Sequence, residues 1–362
     1  MMDQENPSKN GNTFFSSGAY GCVHYPRMKC DGSQKSIRNG KRKDGLLSKL
    51  VLYDSKSKNE FLIGQKLKAV EMLKNNPIVL VKRKCEIKPK GADKIVRGYK
   101  PCDKVLSRKK DKKYKYMLMF SKFYKSITAH DYIYNGDRFS VHRLLKHFYF
   151  CVYVSNILKN FNIVHNDMHM NNVIYDKEGH FHLIDFGLSL DIDKVMTKKT
   201  PDLLYLKGIL VNHDLKRIVS SIERHILNYF VYEDHFLDED DLKRIVDNYY
   251  SLFEERKWVL DIDDFESYKI EVYDHYKRLF VNQTDIYKHI ATIVKKASYT
   301  WDMYRVSLNC LNTLNRFESE ISLTKFRVDE FRTILKSCLH YDYSKRPKQE
   351  KILKTISSFS LI

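Results

Sequence analysis

The chain has 362 residues, 43% of them hydrophobic and 13% aromatic. That is enough to bury a sizeable core as one two-lobed unit or two domains, and too apolar for a disordered chain. The formal charge of +19 favours polyanions: nucleotide, acidic protein substrates, nucleic acid or an anionic membrane. No apolar run approaches the roughly 20 residues of a membrane-spanning helix. No aromatic-interleaved motif accompanies the charge, so specific nucleic-acid readout is unsupported.

In chain order, residues 1–12 are polar, lack the apolar stretch of a secretory signal, and read as a flexible tail. Phe14 to Tyr25 reads as strand, glycine turn, strand, with Gly18 and Gly21 letting the backbone approach a phosphate. After a polar loop, Leu46 to Leu52 reads as a buried strand interrupted by Lys49, a charge that is costly there unless paired. From Lys58 to Leu73 the apolar residues fall at helical spacing, and Ile78 to Val81 reads as the next strand. Basic runs follow, Lys82-Arg83-Lys84 and Arg108-Lys109-Lys110, then an apolar strand from Tyr116 to Phe120 and a long amphipathic helix from Val141 to Asn160. The seven cysteines, at 22, 30, 85, 102, 151, 310 and 338, form no Cys-x-x-Cys pair. That pattern predicts free thiols in a reducing compartment, and Cys30, Cys85 and Cys102 lack the paired spacing of a zinc site.

Ile163 to Ile174 carries His165-Asn166-Asp167 with Asn172 five residues after the Asp, and Asp185-Phe186-Gly187 follows eleven residues after Ile174. Two acidic residues and an amide on neighbouring apolar segments suit phosphoryl transfer from a metal-nucleotide: one carboxylate for the acceptor hydroxyl, one amide and one carboxylate for the metal. His-x-Asp-x4-Asn with a downstream Asp-Phe-Gly resembles the catalytic loop and metal-binding turn of the protein-kinase family.

That resemblance implies an α+β, bilobal protein-kinase-like fold, with a β-rich N-lobe over residues 13–122 and a helical C-lobe over 123–362. It implies ATP with Mg2+ or Mn2+ as cofactors, Asp167 as the group that orients the attacking hydroxyl, and Asn172 and Asp185 as metal ligands. Ser16, Gly18, Ala19, Tyr20, Gly21 and Val23 match the glycine-rich loop, with Ser16 in place of its first Gly. Lys49 becomes the phosphate-binding lysine and Glu60 its partner, with Glu71 as competitor; Phe120 to Phe123 would present backbone to the adenine. Trp301-Asp302 resembles the helix whose Asp braces the catalytic loop, with Asp214 as rival, and Arg346-Pro347 resembles the closing segment with its structural Arg. No Ala-Pro-Glu follows Gly187. Counted from Gly187 to Trp301, an insertion of roughly 110 residues occupies about 188–300.

Two departures bear on function. Asn166 stands where many kinases have the Arg that pairs with a phosphorylated activation loop, so activity without phosphorylation at Thr197 or Thr200 is expected. His169 stands where serine/threonine kinases usually place a Lys against the transferring phosphate, and it would donate a hydrogen bond with less charge. His-x-Asp-x-His-x-x-Asn also resembles aminoglycoside and choline kinases, which share the bilobal core; a nucleotide-binding pseudokinase scaffold is the third reading. Tyr20-Gly21-Cys22-Val23 with Pro26 and Cys30, Ser48-Lys49-Leu50, His165-Asn166-Asp167 and Trp301-Asp302-x-Tyr304 together resemble the serine/threonine kinases of large cytoplasmic DNA viruses. That likeness implies protein serine/threonine substrates and a setting in host cytoplasm or virion.

Overall fold

A computed structural model of the protein describes residues 14–18, 21–25, 27–30, 45–73, 75–87, 115–134, 138–197, 199–210, 220–233, 235–254, 262–321 and 327–359. The chain divides into two compact units, Met1–Ile127 with Ile174–Leu188, and Thr128–Val173 with Ser189–Ile362. The sequence reading set its boundary at 122/123; the division lies a few residues later and returns the Asp-Phe-Gly segment to the first unit.

The first unit is built on an antiparallel sheet of β1 (Phe14–Gly18), β2 (Gly21–His24), β3 (Leu46–Leu52), β4 (Val81–Ile87) and β5 (Tyr116–Lys122), in the order β1-β2-β3-β5-β4. Alternation along β5 sends Leu118 and Phe120 to a core with Cys22, Leu50 and Ile87, and Met117 and Met119 to a second core with Val51 and Val81. Strand β4 corrects the expected strand at Ile78 to Val81: Ile78 makes only a single parallel bridge, to Leu183, and pairing with β5 begins at Val81. A register shift between Val81 and Arg83 leaves Lys82, Arg83 and Lys84 all exposed on this edge strand, where charge discourages pairing with another chain.

Helix α1 (Ser55–Lys66) starts at a reciprocal cap: the Asp54 carboxylate accepts from the Ser57 N–H at 2.9 Å, and the Ser57 hydroxyl accepts from the Asp54 N–H at 3.0 Å. It is shorter than the Lys58 to Leu73 pattern suggested, because the chain tightens into a 3₁₀ turn over Lys68–Met72. A disulfide joins Cys30 to Cys85, and Cys22 is also disulfide-bonded. The expectation of free thiols fails here because 55 residues of sequence hide the spatial meeting of the segment after β2 with β4; among the described residues Cys151, Cys310 and Cys338 remain as buried thiols. Strands β8 (Val173–Asp176) and β9 (Phe181–Leu183) form a hairpin leading into the Asp-Phe-Gly turn, with β6 (Ser126–Thr128) beside β8.

The second unit is mainly helical. α2 (Ala129–Tyr134) precedes α3 (Val141–Asn160), whose bounds agree with the apolar periodicity and whose first turn is capped by Ser140. β7 (Ile163–Val164) pairs with β10 (Leu190–Asp191), so the chain before the catalytic loop is tied to the chain beyond Gly187. Then come α4 (Ile192–Val195), α5 (Leu203–Ile209), α6 (Ile222–Glu233), α7 (Glu239–Glu254), α8 (Phe265–Phe280) and α9 (Ile286–Thr292). A π turn and a 3₁₀ turn carry the chain from α9 into α10 (Trp301–Arg316), followed by α11 (Glu318–Ile321), α12 (Val328–Cys338) and α13 (Gln349–Ser357). α10 packs against both α3 and α12, and most of it is buried. Among the described residues no helix is long and apolar enough to cross a membrane.

Candidate active site

In the first unit, the Lys49 ammonium lies 2.9 Å from Asp185 Oδ1 and 3.2 Å from Glu60 Oε2. β3 supplies the lysine, α1 the glutamate, and the turn after β9 the aspartate. Burial works against the Lys49 charge, but Asp185 and Glu60 more than offset it and raise its pKa. Burial pushes Glu60 up to about 7, with Lys49 opposing and the like charge of Asp185 adding to the rise. Asp185 holds a left-handed backbone at φ 66°, a conformation a non-glycine residue keeps only when its surroundings enforce it. Those surroundings are Phe186, buried beside α1, and Asn59, whose amide donates to the Gly187 carbonyl at 3.4 Å. The competitor Glu71 pairs instead with Lys82, at 3.5 Å.

Gly21 is needed for a reason other than phosphate approach. A Cβ there would stand 2.6 Å from the Leu50 carbonyl and 2.8 Å from Val51 Cγ1, so any side chain would push β2 off β3. Ser16 and Gly18 lie on β1 opposite Val23 and Gly21; Ala19 and Tyr20 lie outside the described residues. Phe120, expected to present backbone to the adenine, sits in β5 opposite Ser48 on one side and Arg83 on the other, with its ring buried. Phe123, past the end of β5, gives its N–H to the Gly45 carbonyl at 2.7 Å and stacks on Tyr25 at 3.6 Å. Its N–H is therefore also committed within the unit.

In the second unit, the loop that carries Asp167 is held from beneath. The buried Asp302 carboxylate accepts from the His165 N–H at 2.8 Å and the Asn166 N–H at 2.7 Å. Burial raises the Asp302 pKa, and the His165 and Asn166 amides counter it. Asn166 is left-handed at φ 63°, which turns the chain so that Asp167 leaves the core. Asp214, the rival to Asp302, lies outside the described residues. Asn172 donates through Nδ2 to the Asp167 carbonyl at 2.9 Å and its carboxylate at 3.1 Å. That leaves the amide oxygen as what Asn172 can offer a cation. His169 accepts the Asn171 N–H through Nδ1 at 3.2 Å, which puts the proton of its neutral ring on Nε2, 3.8 Å from Asp167 Oδ2.

Arg305 was missed by the sequence reading. Its Nη1 lies 2.7 Å from Asp167 Oδ1. The available signal was its place one helical turn after Asp302, on the same face. Arg224 was missed as well: it is buried, its guanidinium 5.8 Å from the Trp301 ring, and it donates to the Asn166 carbonyl at 3.4 Å. Burial first, and Arg305 second, pull its pKa down to about 10.

Among the described residues no three His, Cys, Asp or Glu side chains gather as a metal-ligand set. The Asn172 amide oxygen and the Asp185 carboxylate are hard oxygen donors, which suit Mg2+ in sites that complete its shell with water and substrate phosphates. The profile of the ABC1 atypical kinase-like domain matches residues 115–222, a span that contains the catalytic loop and the Asp-Phe-Gly turn. A search of the curated proteins gives no match. The matched span is under a third of the chain; it is similar to that domain, and the likeness supports a mixed α/β, protein-kinase-like domain with ATP as the nucleotide it implies.

Proposed function

We propose that the protein is an ATP-dependent protein kinase that moves the γ-phosphoryl group of Mg-ATP to a serine or threonine hydroxyl. The observation that carries the reading is Lys49 held between Glu60 and Asp185, a fixed cation with a carboxylate beside it. In this reading Lys49 positions and neutralises phosphate, and Asp185 and Asn172 supply oxygen to the metal, which carries the charge stabilisation of the transferring group. Asp167 orients the acceptor hydroxyl and takes its proton. Little covalent chemistry is asked of the protein, so alignment supplies most of the rate.

The segment beyond Gly187 is tied down without a phosphate. β10 pairs with β7, the Ile192 N–H donates to the Asn162 carbonyl at 2.9 Å, and the Asp191 N–H donates to the Tyr205 hydroxyl at 3.0 Å. This supports activity without modification of Thr197 or Thr200. The likeness to viral serine/threonine kinases, and a cytoplasmic or virion setting, belong to the same proposal.

A small-molecule kinase is the second reading, favoured by His169 in the loop and by the atypical character of the matched domain. The test is phosphate transfer by unphosphorylated protein to casein, a basic protein and choline in parallel. Incorporation into protein is expected, falling at least about 10²-fold in Asp167→Asn. Transfer to choline alone would overturn the protein-substrate reading, and full activity in Asp167→Asn would overturn the assignment of Asp167.

A further inference from the structure

We propose that the cavity beside the catalytic loop receives the residues flanking the acceptor hydroxyl and selects a peptide with acidic rather than basic flanks. This rests on the kinase reading above and adds the substrate class to it. The cavity, about 320 Å³, is lined by residues 169–171 of the loop and by Arg305, Asn309, Asn312 and Thr313 of α10. Positions 305, 309 and 312 fall on one helical face, so a single stripe of α10 forms one wall.

The chemistry of that wall is cationic and amide. No carboxylate lines the cavity. Asp167, outside the lining, pairs with Arg305 at 2.7 Å. Arg305 also has a buried Nε–H, and Asn312 a buried Oδ1, with no hydrogen-bond partner among the described residues. Unmet polar groups behind the wall favour a polar rather than an apolar occupant. The guanidinium of Arg224 lies close enough for Arg305 to disfavour its charge and for Asp167 to favour it. Asp302 favours the Arg224 charge as well, so Arg224 is balanced behind the wall and Arg305 is the cation that lines the cavity.

A lysine or arginine flank, or the ammonium of choline or an aminoglycoside, would meet Arg305 in a lining that holds no carboxylate to receive it, whereas an aspartate or glutamate would pair with Arg305 and accept from the asparagine amides. The chain's formal charge of +19 draws an acidic partner from a distance in the same sense.

The experiment compares matched serine peptides with Asp/Glu, Ala or Lys/Arg flanks, and choline, on the full chain with Mg-ATP. A thermal shift with Mg-ATP alone is measured alongside. At least a tenfold higher kcat/KM for acidic over basic flanks is expected, and Asn312→Asp should narrow or invert that ratio. A Mg-ATP shift with equal or reversed flank preference, or with transfer only to choline, overturns this proposal and leaves the nucleotide reading standing. Absence of both the shift and any turnover overturns the kinase reading itself. The peptide comparison needs no variant, so misfolding of Asn312→Asp does not blunt it.

Discussion

A single buried carboxylate decides where Asp167 points. Asp302 accepts two successive loop amides at 2.7 and 2.8 Å, and both hydrogen bonds are charge-assisted, the stronger class. Asp302→Asn keeps the shape but offers one acceptor and turns an NH2 group toward the other amide. The expected cost is about 2–3 kcal/mol, read as a lower urea midpoint, with a fall in kcat because Asp167 lies one residue beyond Asn166. An Asp302→Asn protein with unchanged midpoint and turnover would show that the loop holds itself. Asp302 was legible because Trp301-Asp302-x-Tyr304 sits at a distance from Arg346 that a kinase-like C-terminal region requires. Arg305 was not, since an Arg on an amphipathic helix reads as solvent-facing until the loop carrying Asp167 is seen lying over it. Gly21 was legible as a necessary glycine, but not for this cause: sequence shows a turn, not the carbonyl of Leu50 behind it.

Among the elements, α6 enters the core through a buried acid that no motif announced. Arg346 donates from Nη1 to Glu223 Oε1 at 2.6 Å and from Nη2 to Oε2 at 3.0 Å, both side chains being almost wholly buried. Trp301 Nε1 and the Ser221 hydroxyl add bonds to Oε1, and the Tyr276 hydroxyl donates to Oε2. One carboxylate therefore joins the start of α6, α8, the start of α10 and the segment before α13. Burial opposes the Arg346 charge, but Glu223 more than offsets it. Glu223→Ala leaves that guanidinium buried and unpaired, for which about 3–5 kcal/mol of destabilisation is expected. Glu223→Ala with Arg346→Met should lose less than the sum of the two single changes, and strict additivity in a denaturation cycle would count against the pairing. The sequence reading named Arg346 as structural and found no Ala-Pro-Glu, and Glu223 went unseen because one acid in the mixed polar and apolar stretch from Ile222 to Val231 carries no periodic signal. Periodicity did locate α3 to the residue, since buried positions recur at helical spacing from Val141 and Leu144 through to Leu158. It misplaced β4, whose register shift and edge position spoil the alternation that marks a strand.

At the scale of the whole molecule, the two units answer differently to chemistry. The Cys30–Cys85 disulfide closes a loop of 55 residues within the first unit, which on chain entropy alone is worth about 4 kcal/mol against the reduced chain. Reduction, or Cys85→Ser, should therefore lower the thermal midpoint of residues in the β sheet, followed by hydrogen exchange, while leaving the α3–α10 core of the second unit where it was; equal loss in both would refute that local assignment. Acid acts on both. His24 in β2 and His147 in α3 are almost fully buried, and burial pushes their pKa values down to about 4 and about 3. Below an unfolded value of 6.5 the unfolded chain takes up protons that these folded imidazoles refuse, so stability is full above pH 6.5 and drains away as pH falls toward 4. Each group contributes a slope of about 1.4 kcal/mol per pH unit across that window. Glu60, raised to about 7, works in the opposite direction: its burial costs nothing below its unfolded value near 4.5 and weakens the fold as pH rises through 7. In the first unit, which holds both His24 and Glu60, the two opposite slopes cancel between about pH 4.5 and 6.5, so its stability should be flat there and fall off on either side. The second, with His147, should lose stability only on the acid side. Separate hydrogen-exchange profiles for β5 and α10 between pH 4 and 8 would read the two curves, and a single shared optimum would contradict the assignment of these buried groups.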